Sequence, residues 1–467
     1  MIVMKFGGTS LKDAKMFKKS AEIVLAEPRE KIVVVSACAG ITDQLISLAQ
    51  KAAKRDSAWS TGAGHLQGFY EGLLESLFPS GSRERRIVPK FKDYIRDLEK
   101  LLVSVMILQE LTPRALDTIM ALGEFLSTLI FSALLRELTN KDGASRPVSP
   151  GKIRTNSNFG NAEIDLAATK KTLFYLKDRL KKKIIPVIPG FVGKTRGGAY
   201  TTLGRNGSDY TAAAIASIFD AEELQIWKEV DGVMRADPKL IPEAKVLNEI
   251  SYEEAMEMTY FGSKVLHPKS ILPAIQKKIP IRIKDTYNPD SSGTLISSET
   301  SISPKGVKVI TNISDLALIN VVGKGMVGVA GIAARVFGAT AKADVNVMMI
   351  SQASSEYSIC FVVKQNEAKK AADAVKKEFE LEFHHGMLEK VEVDSKMSII
   401  AIVGDGMLGK IGIAAKFFTA LTEADVNIIS IAQGSSERNI SVLVKSEGTQ
   451  KAVRSVYNKF FGKGEKG

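Results

Sequence analysis

The hydrophobic pattern at the start of the chain alternates between strand and helix. Ile2-Val3-Met4 is a short apolar run of buried-strand type, and it leads into Lys5-Phe6-Gly7-Gly8-Thr9-Ser10. From about residue 12 to 26, apolar positions at Ala14, Phe17, Ala21, Val24 and Leu25 have helical spacing. Lys31-Ile32-Val33-Val34-Val35-Ser36 is a second unbroken apolar run, followed by the loop Ala37-Cys38-Ala39-Gly40-Ile41-Thr42 and a helical pattern over 43–53. Strand, glycine loop and helix in succession, twice, predict an α/β fold with a parallel sheet. Residues 54–140 read as mostly helical, with one long apolar helix over 116–138 that carries Gly123-Glu124. Further strands are expected at 184–190, 224–227 and 281–284, and a helix at 252–260. The polar stretch 297–305 reads as a linker, so a first domain is placed at 1–300.

Beyond the linker the pattern repeats. Val322-Gly323-Lys324-Gly325-Met326-Val327-Gly328 returns 81 residues later as Val403-Gly404-Asp405-Gly406-Met407-Leu408-Gly409. The same offset relates Asp344 and Asn346 to Asp425 and Asn427, and Gln352 to Gln433. Each copy reads strand, glycine loop, helix, strand, strand, helix, which suits a βαββαβ unit. The copies are placed at 301–392 and 393–467. Both match G-x-G-x-x-G with an acidic residue about twenty positions on. A dinucleotide site is nevertheless rejected, because about eighty residues are too few for a doubly wound sheet of two mononucleotide halves.

Composition excludes some classes. With 467 residues, 45% hydrophobic and 25% charged, the chain has the balance of a globular protein of two or three domains. No run of eighteen apolar residues occurs and no secretory pattern precedes β-type residue 2, so no membrane span and no export are expected. Two distant cysteines, Cys38 and Cys360, read as buried free thiols of a reducing, cytoplasmic compartment. The net charge of +12 is spread among glutamates with no aromatic-interleaved basic module, so an anionic small substrate is preferred to nucleic acid.

The candidate chemistry sits at the loops. A lysine at a strand end, two glycines, two hydroxyls and a helix start make a phosphate cradle. A plain strand–helix turn with a surface lysine reads the same residues equally well. Leu203-Gly204-Arg205-Asn206-Gly207-Ser208-Asp209 before a small-residue helix is a second anion-binding turn, in which Arg205 can clamp a carboxylate and Asp209 can cap the helix. Glu124 either faces solvent or faces a cleft, where it would accept from a substrate ammonium.

Together these stretches, with Asp231-Gly232, Asp237-Pro238 and Phe261-Gly262-Ser263-Lys264-Val265-Leu266-His267-Pro268, resemble aspartate kinase: an amino-acid kinase fold, mainly a parallel sheet between helical layers, followed by two ferredoxin-like ACT domains. The resemblance covers nearly the whole chain. It departs at Asn206, often glycine in the family, at Lys228-Glu229, where many relatives carry Thr-Asp, and at an absent tyrosine near Met234. No dehydrogenase domain follows the repeats, so a monofunctional member is expected.

The resemblance implies ATP-dependent phosphorylation of the L-aspartate β-carboxylate, with Mg2+, and feedback control by an amino acid at the ACT pair, threonine before lysine. It implies catalytic roles for Lys5, Asp209 and Lys264. Substrate contacts fall to Ser36, Thr42, Glu124, Arg205, Gly207 and Ser208. Nucleotide contacts fall to Lys5, Phe6, Gly7, Gly8, Lys228, Glu229, Met234, Lys239, Lys264 and Val265. Effector contacts fall to Asp344, Asn346, Gln352, Asp425, Asn427 and Gln433. A homo-oligomer through the ACT domains is expected. A carboxylate acceptor, with a pKa of about 4, is ionised at neutral pH and needs no general base. Competing readings are another amino-acid kinase (acetylglutamate or glutamate 5-kinase), a non-catalytic amino-acid sensor on a kinase scaffold, and a dehydrogenase.

Overall fold

The unbroken apolar run at the start becomes β1 (Ile2–Phe6), buried along its whole length. The computed structural model describes the chain except residues 261–266, 299–305, 327, 353–356 and 463–467, and the side chains of 259, 260 and 268. The described residues form two units. The first comprises Met1–Val233, Val246–Tyr252 and the described part of Val265–Thr300; the second comprises Met234–Lys245 and the described parts of Glu253–Lys264 and Ser301–Gly467.

The first unit contains β1, β2 (Lys31–Val35), β3 (Ser145–Pro147), β4 (Ile185–Pro189), β5 (Val192–Lys194), β6 (Tyr200–Thr202), β7 (Glu223–Lys228), β8 (Glu249–Ser251), β9 (Ile281–Asp285) and β10 (Thr294–Ser297). Its helices are α1 (Ala14–Ala26), α2 (Ile41–Ala53), α3 (Ala58–Leu77), α4 (Val88–Leu108), α5 (Pro113–Thr139), α6 (Leu166–Leu173), α7 (Leu176–Lys181) and α8 (Gly207–Ile218). The division between units falls inside α9 (Tyr252–Tyr260), and α10 (Pro268–Gln276) belongs again to the first unit.

Among the described residues eight strands form one sheet, in the order β3-β4-β2-β1-β7-β9-β10-β8. All neighbouring pairs are parallel except β9 with β10. The long central helix α5 is apolar enough over eighteen residues to cross a bilayer by composition, but 89% of that window is buried in the core of this unit. Phe6, Phe17 and Phe131 meet in that core, and Phe6 also stacks on Trp227.

The second unit contains β11 (Val309–Val322), α11 (Ile332–Lys342), β12 (Met349–Gln352), β13 (Ser358–Lys364), α12 (Ala368–Glu378), α13 (Glu380–His384), β14 (Lys390–Val403), α14 (Ile413–Glu423), β15 (Ser430–Gln433), β16 (Asn439–Lys445) and α15 (Thr449–Phe461). Among the described residues its sheet has six strands, in the order β12-β13-β11-β14-β16-β15. The two central strands are fourteen residues long and pair antiparallel from Val309↔Val403 to Val322↔Lys390.

That pairing corrects the expected domain limits. The C-terminal half of β11 pairs with β13, its own repeat, while the N-terminal half, 309–313, lies against 399–403 of the second repeat. The first half of β14 completes the first repeat in the same way. Each repeat thus borrows its closing strand from the segment ahead of the other, and a cut at 392/393 falls inside one strand. A single boundary at 300 also fails. Ala236, Ile241 and Ala244 are buried with Phe417, Val453 and Tyr457 in the second unit, and the Ile310 N–H donates to the Arg235 carbonyl at 2.8 Å. Sequence periodicity detects a copy, but a strand's partner is set by burial of its two faces, which the copy number does not encode.

The glycine pattern of the repeats has a packing cause. A Cβ on Gly323 would stand 2.5 Å from the Met387 carbonyl oxygen, and one on Gly404 would stand 2.4 Å from the Gly306 carbonyl oxygen. In each repeat the segment leading into the borrowed strand lies directly on the glycine loop. Gly404→Ala is therefore expected to cost the second unit about 1–3 kcal/mol, read as an earlier transition of that unit in denaturant unfolding. A variant as stable as the parent would show that the glycine serves something other than this close approach.

Candidate active site

Strand register builds the site. Phe6 lies opposite both Val35 and Trp227, and Val35 lies opposite Pro189. The next residues on four adjacent parallel strands, Gly7, Ser36, Gly190 and Lys228, therefore form a row at the carboxyl edge of the sheet, where open α/β sheets bind ligands. Gly190 is required there: a Cβ on it would stand 2.6 Å from Ser208 Cβ. Its absence lets the first turn of α8 settle on the strand end. Gly207 plays the same part against Phe191, with a Cβ only 2.8 Å from the ring.

This seating places Asp209, in the first turn of α8, between two lysines. Lys5 Nζ is 2.6 Å from Asp209 Oδ1, and Lys228 Nζ is 3.1 Å from Oδ2. Asp209 is 1% exposed and Lys5 5%. Burial pushes the Asp209 carboxyl up, but the charges of Lys228 and Lys5 outweigh it and the net direction is down. Burial lowers the Lys5 ammonium, Lys228 lowers it further, and Asp209 restores only part. The helix N-terminus adds favourable field at the carboxylate. Two cations thus flank one buried anion at the strand edge.

Glu124 is buried, which removes its solvent-facing reading. Gly123 brings α5 against the loop after β2, since a Cβ there would stand 2.8 Å from Ala37 Cβ. Glu124 Oε1 then accepts from the Ala37 N–H at 3.1 Å, and Oε2 has no partner among the described residues. Burial pushes its carboxyl up to about 8, opposed by the Ala37 N–H, its own backbone N–H and the Lys5 charge. An unpartnered buried carboxylate oxygen is costly, and an ammonium group would satisfy it.

Arg205 is exposed on the loop before α8 and has no ion pair among the described residues. That loop is fixed by a residue the sequence reading missed. Asp117 on α5 is buried and accepts from the Thr202 N–H at 2.8 Å, the Thr202 hydroxyl at 2.8 Å and the Gly160 N–H at 2.9 Å. It joins α5, β6 and the loop containing Gly160; an aspartate four residues into an apolar helix was the available signal. Ser36 and Thr42 are half-buried at the end of β2 and the start of α2.

Other expected residues fall elsewhere. The Phe6 side chain is core, fully buried and stacked on Trp227, so only its backbone borders the row. The Gly7 N–H is already spent on the Trp227 carbonyl at 3.2 Å, because the β1–β7 ladder runs one residue past the strand. Gly8 sits tightly under the next loop, a Cβ on it lying 2.9 Å from the Ala37 carbonyl oxygen. Glu229 is exposed beyond β7. Met234 packs on the core of the second unit, and Lys239 is exposed in the same segment. Lys264 and Val265 lie outside the described residues. Cys38 is buried, but Cys360 is only half-buried on β13, 3.3 Å from Asn320 Oδ1.

In the second unit, Asp344, Asn346, Gln352, Asp425, Asn427 and Gln433 are all exposed. Asp344 and Asp425 have φ of 48° and 52° just past the ends of α11 and α14. Aspartate tolerates this left-handed conformation, so helix termination accounts for the acidic residue that completed the dinucleotide-like pattern.

The row at the carboxyl edge of a mainly parallel sheet and the duplicated βαββαβ unit are the two features against which the chain's relatives are compared. The model of the amino acid kinase family matches residues 1–285, and the ACT domain model matches 319–379 and 400–460. The chain is 36% identical over 470 residues to the bifunctional aspartokinase/homoserine dehydrogenase 1, chloroplastic, of Arabidopsis thaliana, covering 98% of this chain and 51% of that protein. It thus spans about half the length of the bifunctional relatives it matches. Aspartokinase 2, chloroplastic, of Arabidopsis thaliana is 33% identical over 469 residues, with 98% of this chain and 84% of that protein covered. E. coli aspartokinase III in complex with aspartate and ADP superposes with a TM-score of 0.82 at 30% identity, covering 99% of this chain and 100% of that one. The same enzyme with lysine and aspartate gives 0.79 at 29%, covering 99% of each. The chain belongs to the amino acid kinase family, carrying ACT domains, and within it to the aspartokinases.

The Glu124 carboxyl gives the empty protein a pH signature. Its folded value, about 8, lies above the ordinary value of 4.5, so the folded state keeps a proton that the unfolded state has shed between those limits. Stability should fall as pH rises from about 4.5 to about 8, and Glu124→Gln should flatten that slope. Denaturant unfolding at several pH values across this window checks it; an unchanged slope in the variant would place the proton elsewhere.

Proposed function

We propose that this chain phosphorylates the β-carboxylate of L-aspartate with ATP, giving 4-phospho-L-aspartate, and that an amino acid bound at the ACT pair regulates it. The observation that carries the reading is the presence, in one unit, of the buried Lys5–Asp209–Lys228 cluster at the strand edge and of a buried Glu124 oxygen lacking a partner among the described residues. Both are needed for a substrate that presents a carboxylate to a phosphate and an ammonium to the protein. E. coli aspartokinase III, solved in complex with aspartate and ADP, supports a site for aspartate and an adenine nucleotide.

The acceptor carboxylate is already ionised, so the catalytic problem is repulsion between two anions. Positioning and charge supply the rate. Lys5 faces the phosphoryl group in flight, and Asp209 holds Lys5 and Lys228 as a positioning residue. Arg205, without an ion pair among the described residues, clamps the aspartate α-carboxylate, with Gly207 and Ser208 shaping that turn. Glu124 takes the α-ammonium, and Ser36 and Thr42 hold the reacting end. Lys264 is assigned to the nucleotide phosphates by resemblance. Mg2+ bound with the nucleotide would lower the same repulsion, and no protein ligand is assigned to it. Threonine is the preferred effector, although a relative carries lysine, and a homo-oligomer in the cytoplasm completes the reading.

Lys5→Ala should lower kcat by about 10²–10³-fold, the usual loss for one transition-state donor, with a far smaller change in the aspartate KM; a retained kcat would remove Lys5 from the chemistry. Arg205→Ala should raise mainly the aspartate KM, and a selective effect on ATP would reverse its assignment.

The deciding assay is hydroxamate formation from L-aspartate, ATP and Mg2+, with threonine or lysine added. Product suppressed by threonine supports the whole reading. Suppression by lysine alone keeps the enzyme and replaces the effector. Folded protein that makes no hydroxamate from any acidic amino acid would refute the kinase.

A further inference from the structure

The two repeats share a backbone but not the charges around their glycine loops. With the offset of 81, Lys324 corresponds to Asp405, Tyr357 to Arg438 and Lys308 to Glu389. In the first repeat, the Tyr357 hydroxyl donates to Glu389 at 2.9 Å, and Lys324, 83% exposed, stands 4.0 Å from the same carboxylate. Among the described residues no carboxylate reaches the Lys324 backbone N–H.

In the second repeat the corresponding place is filled. Glu254, on α9 and within the same unit, is 1% exposed. Its Oε1 accepts from the Asp405 backbone N–H at 2.7 Å, and its Oε2 lies 2.7 Å from Lys308 Nζ, itself 3% exposed. Asp405 turns its side chain away to Arg438, Nε to Oδ1 2.6 Å. Asn439, next in β16, donates to Glu257 one turn along α9. A glycine-loop amide with an ammonium beside it is a donor pair suited to a carboxylate, whether of a side chain or of a free amino acid.

We propose that Glu254 is a built-in occupant of the carboxylate niche on the second repeat's glycine loop, and that this loop is closed to free amino acids while Glu254 is in place. The inference deepens the regulatory half of the proposed function and rests on it only for the identity of the competing ligand. The Glu254–Lys308 pair is stable because both charges are buried together with a third partner. Removing one alone would strand the other, so the informative change removes both.

The test is amide hydrogen exchange of the full chain, read by mass spectrometry on peptides over 400–408 and 319–326, with L-threonine and L-lysine as probes. In the parent, exchange at 400–408 should be slow and unmoved by either amino acid. In Glu254→Ala/Lys308→Met it should run about tenfold faster, the effect of one lost charge-assisted bond, and slow again when amino acid is added. Glu254→Gln, which keeps an acceptor oxygen, should stay slow. Slowing of 400–408 by either amino acid in the parent would overturn the proposal, with no variant required. So would a folded double variant whose 400–408 exchange is no faster than the parent's. An amino acid that leaves 319–326 unmoved in the parent counts against amino-acid regulation at that loop, while the variant's exchange at 400–408 still decides the role of Glu254.

Discussion

Everything at the candidate active site depends on Asp209 being able to hold two lysines in a nearly dry place. Two ammonium groups on neighbouring strands repel strongly where water does not screen them. One carboxylate shared between them, at 2.6 Å and 3.1 Å, offsets that repulsion. The carboxylate in turn is tolerable because it occupies the first turn of α8, where the helix field favours negative charge. That position exists only because Gly190 and Gly207 carry no Cβ. Close approach of a helix to the strand ends, and the charge pattern it creates, are therefore one constraint.

Local and long-range features of the site differ in how legible they are in the sequence. Glycines and lysines next to strand ends are local signals, so Lys5, Gly8, Arg205 and Asp209 could be picked from the chain directly. The pairing of Lys228 with Asp209 was not local. It follows from β7 lying beside β1, a fact of register between distant segments in which Lys5 lies opposite Ile226 and Phe6 opposite Trp227. Asp117 was missed for a related reason. Its three hydrogen bonds go to segments forty and more residues away, and nothing in its own helix distinguishes it from a surface aspartate. Phe6 was over-read in the opposite direction, since a residue inside a functional motif can contribute its backbone alone.

The duplicated half shows a different limit. Counting at an offset of 81 finds both repeats, and the predicted order of elements agrees with the observed one apart from the short α13 that the first repeat adds after α12. The exchange of closing strands between β11 and β14 is invisible to such counting. Each fourteen-residue strand is a continuous stretch that serves two halves of one sheet, and only the register separates its two roles. The exchange also explains why neither repeat can be trimmed at the sequence boundary without removing a strand from its neighbour.

The G-x-G-x-x-G pattern of the repeats illustrates how one motif acquires different physical causes. In a dinucleotide fold the glycines admit a pyrophosphate to the backbone. Here Gly323 and Gly404 admit another stretch of the same chain, with carbonyl oxygens 2.5 Å and 2.4 Å from where a Cβ would stand. The acidic residue that completes the pattern ends a helix at a positive φ. Each position has a structural requirement of its own, met separately, and the spacing that mimics a cofactor site is their sum. Once the backbone is fixed in this way, the side chains at 324 and 405 are free to differ, and in this chain they carry opposite charges on equivalent loops. Symmetry of fold thus sets where an amide can be offered, and the flanking charges set what is held there.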